Sequence, residues 1–168
     1  MTAAKGRKPA GPKAKAPGDS VEMLFRQLSE KIGPLEAEEP SCGAPFDYAG
    51  VIGLLDKILA IDPGNRDALN YKGMMLLGTS EHRKAIKCFD AILKASPADK
   101  EVLNNKGIAL YGMGKAEEAL KYIDKAIELD RRFPDALMNK AVILHDLGRS
   151  EEAQKFIMRA RALDTIKG

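Results

Sequence analysis

The apolar positions of this chain fall on two superimposed spacings. Within a segment they recur every three or four residues, as in Leu69, Gly73 and Leu76 and again in Ala85, Phe89 and Ile92, the periodicity of an amphipathic helix with one face turned inward. Between segments the same positions recur at thirty-four residues. Leu69, Leu103 and Leu137 form one column, Gly73, Gly107 and Ala141 a second, and Leu76, Leu110 and Leu144 a third. Ala85, Ala119 and Ala153, then Phe89, Ile123 and Ile157, then Ile92, Ala126 and Ala160 complete the register. The stretch from Ala98 to Arg131 is the copy that its two neighbours imitate.

Each copy predicts a helical hairpin. The first helices are expected over about Arg66 to Leu77, Lys100 to Met113 and Pro134 to Leu147. The second helices are expected over about Glu81 to Ala95, Lys115 to Leu129 and Ser150 to Leu163. Asp62-Pro63-Gly64 and Ser96-Pro97 separate copies, and Gly78, Gly114 and Gly148 sit near the bends, where glycine can take a positive φ. Small residues at Gly73, Gly107 and Ala141, facing Ala85, Ala119 and Ala153, let the two helices of a hairpin approach closely.

Upstream, Val51, Leu55 and Ile58 lie one period before Ala85, Phe89 and Ile92, which predicts a second helix from Asp47 to Ala60 without its own first helix. Pro34, Pro40 and Gly43 occupy the missing place. Val21, Leu24, Phe25, Leu28 and Ile32 keep helical spacing behind an Asp19–Glu22 capping box, so a helix from about Ser20 to Lys31 is expected to swing in and cover the exposed stripe. The expected division is a disordered basic tail over 1–19, an amphipathic helix and linker over 20–46, and a repeat domain over 47–164. That domain contains a half repeat at 47–62 and full repeats at about 64–97, 98–131 and 132–165.

Charge changes the picture only at the N-terminus. The chain carries a net +3, but Lys5, Arg7, Lys8, Lys13 and Lys15 against Asp19 place +4 in the first nineteen residues and leave the rest at −1. The basic character therefore belongs to the tail, which has too little apolar surface to order itself.

The period, with a small residue, an apolar residue three positions on and an alanine nine further, resembles the tetratricopeptide repeat over roughly Phe46 to Asp164. The resemblance implies an all-α, right-handed superhelical array of antiparallel helix pairs, a solenoid. This chain departs from the family pattern where the usual tryptophan column is leucine and where Lys72, Lys106 and Lys140 precede the small column. The stems of those lysines are expected to lie on apolar surface with the charge in water. Columns that pack on a following repeat, Ile86 and Leu120, then Leu93 and Ile127, become Gln154 and Arg161 in the last copy, as a terminal repeat requires. Met158 and Leu163 leave some apolar surface there, so the chain is expected to be a monomer or a weak homo-oligomer.

Candidate chemistry is sparse. His82 and His145 lie in different copies without ligand partners at helical spacing, and no phosphate-cradling loop, nucleophile elbow or dinucleotide fingerprint occurs. Glu117-Glu118 and Glu151-Glu152 start helices, where acids complement the dipole. Cys42 and Cys88 have no CxxC partner and read as reduced thiols. No apolar run reaches the roughly 20 residues of a membrane span. The expectation is a cytoplasmic, non-catalytic protein with no cofactor, no metal and no membrane association.

The resemblance further implies a concave face lined by the first helices. Its inward positions are Asp67, Asn70, Tyr71, Met74 and Leu77, then Glu101, Asn104, Asn105, Ile108 and Tyr111, then Asp135, Met138, Asn139, Val142 and His145. Asparagines along a groove can donate to and accept from a peptide backbone, and tyrosine and methionine offer apolar contact. Members that clamp a C-terminal carboxylate use lysine, arginine and asparagine at set columns. Of Asn70, Met74, Asn105, Asp135 and Asn139 at those places, only Asn105 matches. The acidic row of Asp67, Glu101 and Asp135 favours a neutral or basic ligand instead. The expected function is an adaptor or scaffold that binds a partner peptide or helix in this groove. The alternative is a nucleic-acid-associated protein that uses its basic tail for phosphate affinity while the repeats hold a protein. Truncating Asn105 and Tyr111 is expected to spare the fold.

Overall fold

The computed structural model describes residues 20–32 and 46–164. The expected tail over 1–19 and most of the expected linker lie outside the described residues. Among the described residues there are eight α-helices: α1 (Val21–Ile32), α2 (Tyr48–Ile61), α3 (Arg66–Gly78), α4 (His82–Ala95), α5 (Lys100–Gly112), α6 (Ala116–Leu129), α7 (Pro134–Asp146) and α8 (Ser150–Asp164). Every expected helix end is met within one residue.

Local chemistry sets these boundaries. The side chains of Asp47, Asn65 and Asp99 accept from the backbone N–H groups of Gly50, Ala68 and Val102, each satisfying a donor that the first helical turn leaves free. At α7 the cap position is Phe133, and Pro134 enters the first turn, where no N–H is missed. The start of α1 differs from expectation. The hydroxyl of Ser20 accepts from the Met23 N–H at 3.2 Å and so takes the cap expected from Asp19, which lies outside the described residues.

The hairpin bends also differ in one detail. Positive φ falls on Ser80 at 60° and on Gly114 and Gly148 at 76°, three positions in one column. Gly78 belongs instead to the helical end of α3, where a Cβ would lie 2.5 Å from Cε1 of Tyr48 in α2. Its lack of a side chain serves packing between repeats and not the bend.

Each helix packs on its neighbours in the chain, and α5 also touches α3 and α7. Burial is continuous across the joints, because every first helix contributes to the core of the preceding pair. Ala68 of α3 joins Leu24, Leu28, Leu55 and Ile58 of α1 and α2. Val102 and Ala109 of α5 join Leu76, Phe89 and Ile92. No pair could bury its apolar face alone, and stacking removes that face from water. Helix α1 runs antiparallel to α2, with Lys31 in its last turn 2.7 Å from Asp47 at the start of α2. Its residues Leu24 and Leu28 cover the apolar face of α2.

The lysine column is not solvated as expected. Lys72, Lys106 and Lys140 reach back to Asp56, Asp90 and Asp124 of the preceding second helix at 2.5, 2.6 and 2.5 Å. Lys106 and Lys140 also lie 4.2 Å above the rings of Tyr122 and Phe156 in their own repeats. Only 12% of the Lys106 side chain is exposed. The cost of removing its charge from water is offset by a carboxylate on one side and a π-face on the other.

Candidate functional site

The first helices α3, α5 and α7 stand side by side, and their inward columns form rungs from helix to helix. The amide of Asn105 donates to the Oδ1 of Asn70 at 3.2 Å, and the amide of Asn139 donates to the Oδ1 of Asn104 at 3.0 Å. The Tyr111 hydroxyl donates to Asp146, whose other neighbour is His145 Nδ1 at 3.5 Å. Each rung links a residue to the one thirty-five positions on, because adjacent first helices are offset by one residue from the repeat length.

These bonds change what the groove residues can do. Asn104 is the one buried polar side chain among the described residues, with 4% exposure, so it ties α5 to α7 and does not face a ligand. Asn70, Asn105 and Asn139 are half-buried, each giving one amide atom to a rung, and the amide nitrogen of Asn70 also donates to Met74 Sδ at 3.9 Å. Truncation of Asn105 and Tyr111 would therefore also remove two hydrogen bonds between neighbouring first helices. Hydrogen bonding to Asp146 raises the Tyr111 hydroxyl above the ordinary tyrosine range, and the same bond, followed by that of His145, lowers the Asp146 carboxyl.

The acidic row is partly tied up. Arg66 bonds to Asp67 at 3.1 Å and to Asp99 and Glu101 at 2.9 Å each, and these partners raise its pKa. Neither Arg66 nor Asp99 was among the expected groove residues. The signal was available as two carboxylates thirty-three and thirty-five positions beyond the arginine, the offset of neighbouring first helices. Asp135 is exposed, as are Asp67 and Glu101, so the row keeps carboxylate surface beyond its bonds to Arg66.

Apolar side chains also stay accessible on this surface. Met74 and Met138 are each 41% exposed and Val142 49%, while Tyr71, Leu77 and Ile108 are half-buried. Met138, Val142, His145 and Ile157 line a cleft of about 180 Å³ at the C-terminal end of the face. His82 lies elsewhere. Its ring rests on Gly112 across the joint between repeats, and nothing brings it near His145. No helix among the described residues is long and apolar enough to cross a membrane.

Comparison with known proteins agrees with this geometry. The sequence model described as Tetratricopeptide repeat matches residues 99–165. No curated protein matches the chain. Among solved structures, the fragment of MamA from Desulfovibrio magneticus RS-1 beginning at its residue 41 is 20% identical, with a TM-score of 0.70 over 87% of this chain and 76% of that one. MamA of MSR-1 is 20% identical, with a TM-score of 0.66 over 92% of this chain and 83% of the other. A further MamA crystal structure is 19% identical, with a TM-score of 0.69 over 88% and 80% of the two chains. At this identity the likeness is one of fold, and that fold is the expected all-α solenoid of antiparallel helix pairs. The tetratricopeptide-repeat model thus matches the last two helix pairs, and the thirty-four-residue columns carry the same pattern of stacked pairs upstream to Leu69.

Proposed function

We propose that this protein is a non-catalytic, cytoplasmic adaptor that holds a segment of a partner protein against the concave face of α3, α5 and α7. The observation that carries the reading is the exposure of Met74 and Val142 in one column of that face, with Ile108 half-buried between them, while the equivalent stripes inside each hairpin are filled. An extended peptide or an amphipathic helix laid across these residues would bury apolar surface, and the asparagine amides retain hydrogen-bonding groups beyond those used in the rungs. The carboxylate surface kept by Asp67, Glu101 and Asp135 favours a neutral or basic segment over a C-terminal carboxylate.

The test compares three baits: the full chain, the chain beginning at Asp19, and the full chain carrying Met74→Glu and Ile108→Gln. A protein retained by the first two and lost by the third, with the thermal melt preserved, supports the groove. Retention that depends on residues 1–18 and disappears with nuclease or moderate salt would move the primary function to nucleic-acid association.

A further inference from the structure

Net charge assigns the basic character of this chain to its tail, but the fold sorts the remaining charges onto different faces. Helix α5 touches both α3 and α7, whereas α6 touches neither α4 nor α8, so the array curves with its second helices outward. On that convex face Lys87, Lys121 and Lys155 form an exposed column at the thirty-four-residue period. An acid three or four positions away on the same helix ordinarily neutralises such a lysine. Here those acids are drawn elsewhere. Asp90, three positions after Lys87, binds Lys106 at 2.6 Å, and Asp124, three after Lys121, binds Lys140 at 2.5 Å. Toward the bends, Glu118 is held by Lys115 at 3.0 Å, Glu152 by Arg149 at 2.8 Å, and Glu117 lies 4.0 Å from Arg149. After Lys155 the counterpart of Asp124 is Met158, and Glu151 alone keeps an unbonded carboxylate within one turn of the column. The lysines that enter the joints thus take the carboxylates away from the lysines that face water. None of the three forms an ion pair among the described residues, and Lys94 and Lys125 widen the same cationic surface.

We propose that the convex face of α4, α6 and α8 binds the phosphate backbone of duplex DNA. A polyanion of fixed, dense charge is held by lysines alone, through release of its counterions, and needs no groove in the protein. An acidic peptide needs a cleft or anchoring pockets, which an outward-curving face does not supply. A membrane surface needs apolar residues to enter the headgroup region. The only exposed positions between Lys87 and Lys94 are Asp90 and Ala91, and between Lys121 and Glu128 only Lys125. Single strands are held chiefly by stacking on aromatic rings. The Tyr122 ring is occupied by Lys106 at 4.2 Å and Lys125 at 5.5 Å, and the Phe156 ring by Lys140 at 4.2 Å. Among duplexes, the major groove of B-DNA admits a helix, whereas that of A-form RNA is too narrow. Helix α6 stands at the crest of the face with Lys121 and Lys125 one turn apart, and Lys87 and Lys155 lie on the helices to either side. The contact is therefore independent of base sequence and leaves the concave face open.

Fluorescence anisotropy with a short labelled DNA duplex of mixed sequence tests this surface. The protein is the full chain with Lys5, Arg7, Lys8, Lys13 and Lys15 changed to glutamine, so that the tail side chains contribute no cation. The expected result is salt-sensitive binding that Lys87→Gln, Lys121→Gln and Lys155→Gln together weaken about tenfold or more at low salt, with the slope of log affinity against log salt flattened by about 2–3. The thermal melt is unchanged by these substitutions, because the lysines are exposed and unpaired. Absence of binding at low salt, equal affinity in the triple variant, or binding confined to chains with the tail cations intact would overturn the proposal. Tighter binding to single-stranded DNA, to duplex RNA or to anionic lipid vesicles would also overturn it. Loss of partner capture by Met74→Glu with Ile108→Gln does not bear on this result, so the two readings fail separately.

Discussion

The imidazole of His82 occupies the space where Gly112 has no side chain: a Cβ at position 112 would come within 2.5 Å of the ring's Cε1. The same arrangement joins Tyr48 to Gly78 one repeat earlier, so the ring at the start of α2 and the ring at the start of α4 each seat on a glycine at the end of the following first helix. Gly112→Ala is expected to destabilise the protein by about 1–3 kcal/mol through overpacking. His82→Ala introduced together with it should recover part of that loss. Chemical denaturation of the two single variants and the double gives the coupling, and strictly additive effects would contradict the packing.

Ser80 holds a φ of 60°, a conformation that its counterparts Gly114 and Gly148 adopt without a side-chain penalty. The left-handed region costs an L-residue roughly 1–2 kcal/mol, and the added chain entropy of glycine returns about half of that. Ser80→Gly should therefore raise stability by about 0.5–1 kcal/mol, read as a higher melting temperature. Gly114→Ala should lower it by a similar amount.

Lys106 is held between Asp90 at 2.6 Å and Tyr122, whose hydroxyl lies 3.0 Å from Nζ. Burial, the largest influence, pushes its pKa down, but the bonds to Asp90 and Tyr122 together outweigh it and leave the pKa raised. A raised lysine pKa contributes stability that is fully present below the unfolded value of about 10.4 and is lost as the pH climbs through the folded value. Stability measured across this alkaline range should fall more steeply in the wild type than in Lys106→Met. The Lys106–Asp90 coupling itself is expected at about 0.5–1 kcal/mol in a double-mutant cycle, because Asp90 remains half exposed.

Asn104 is buried with its carbonyl oxygen occupied by Asn139. Asn139→Ala leaves that oxygen without its partner and is expected to cost about 1–3 kcal/mol. Asn104→Met, the residue found at the open end of the same column, should cost less when combined with Asn139→Ala than Asn139→Ala costs alone. Equal losses in the two backgrounds would mean that the amide pair does not stabilise the joint.

The hairpins were legible in the sequence because helix periodicity and the thirty-four-residue columns report the same fact twice: which residues must leave water together. Leu103, Gly107 and Leu110 declare a helix, its buried face and its close neighbour with no reference to the rest of the chain. The groove residues were legible as positions only. Which of them are free was decided by the one-residue offset between adjacent first helices, which brings Asn139 onto Asn104, Tyr111 onto Asp146 and Arg66 onto Glu101. Likewise the lysine column was visible, but its charge partners sit on the preceding second helix and its aromatic partners on the following one. Local composition determined the helices and their buried faces, since burial acts on each segment's own apolar stripe. Tertiary structure alone decided the pairing of polar groups, because a hydrogen bond or ion pair requires two side chains from different helices to arrive at one place.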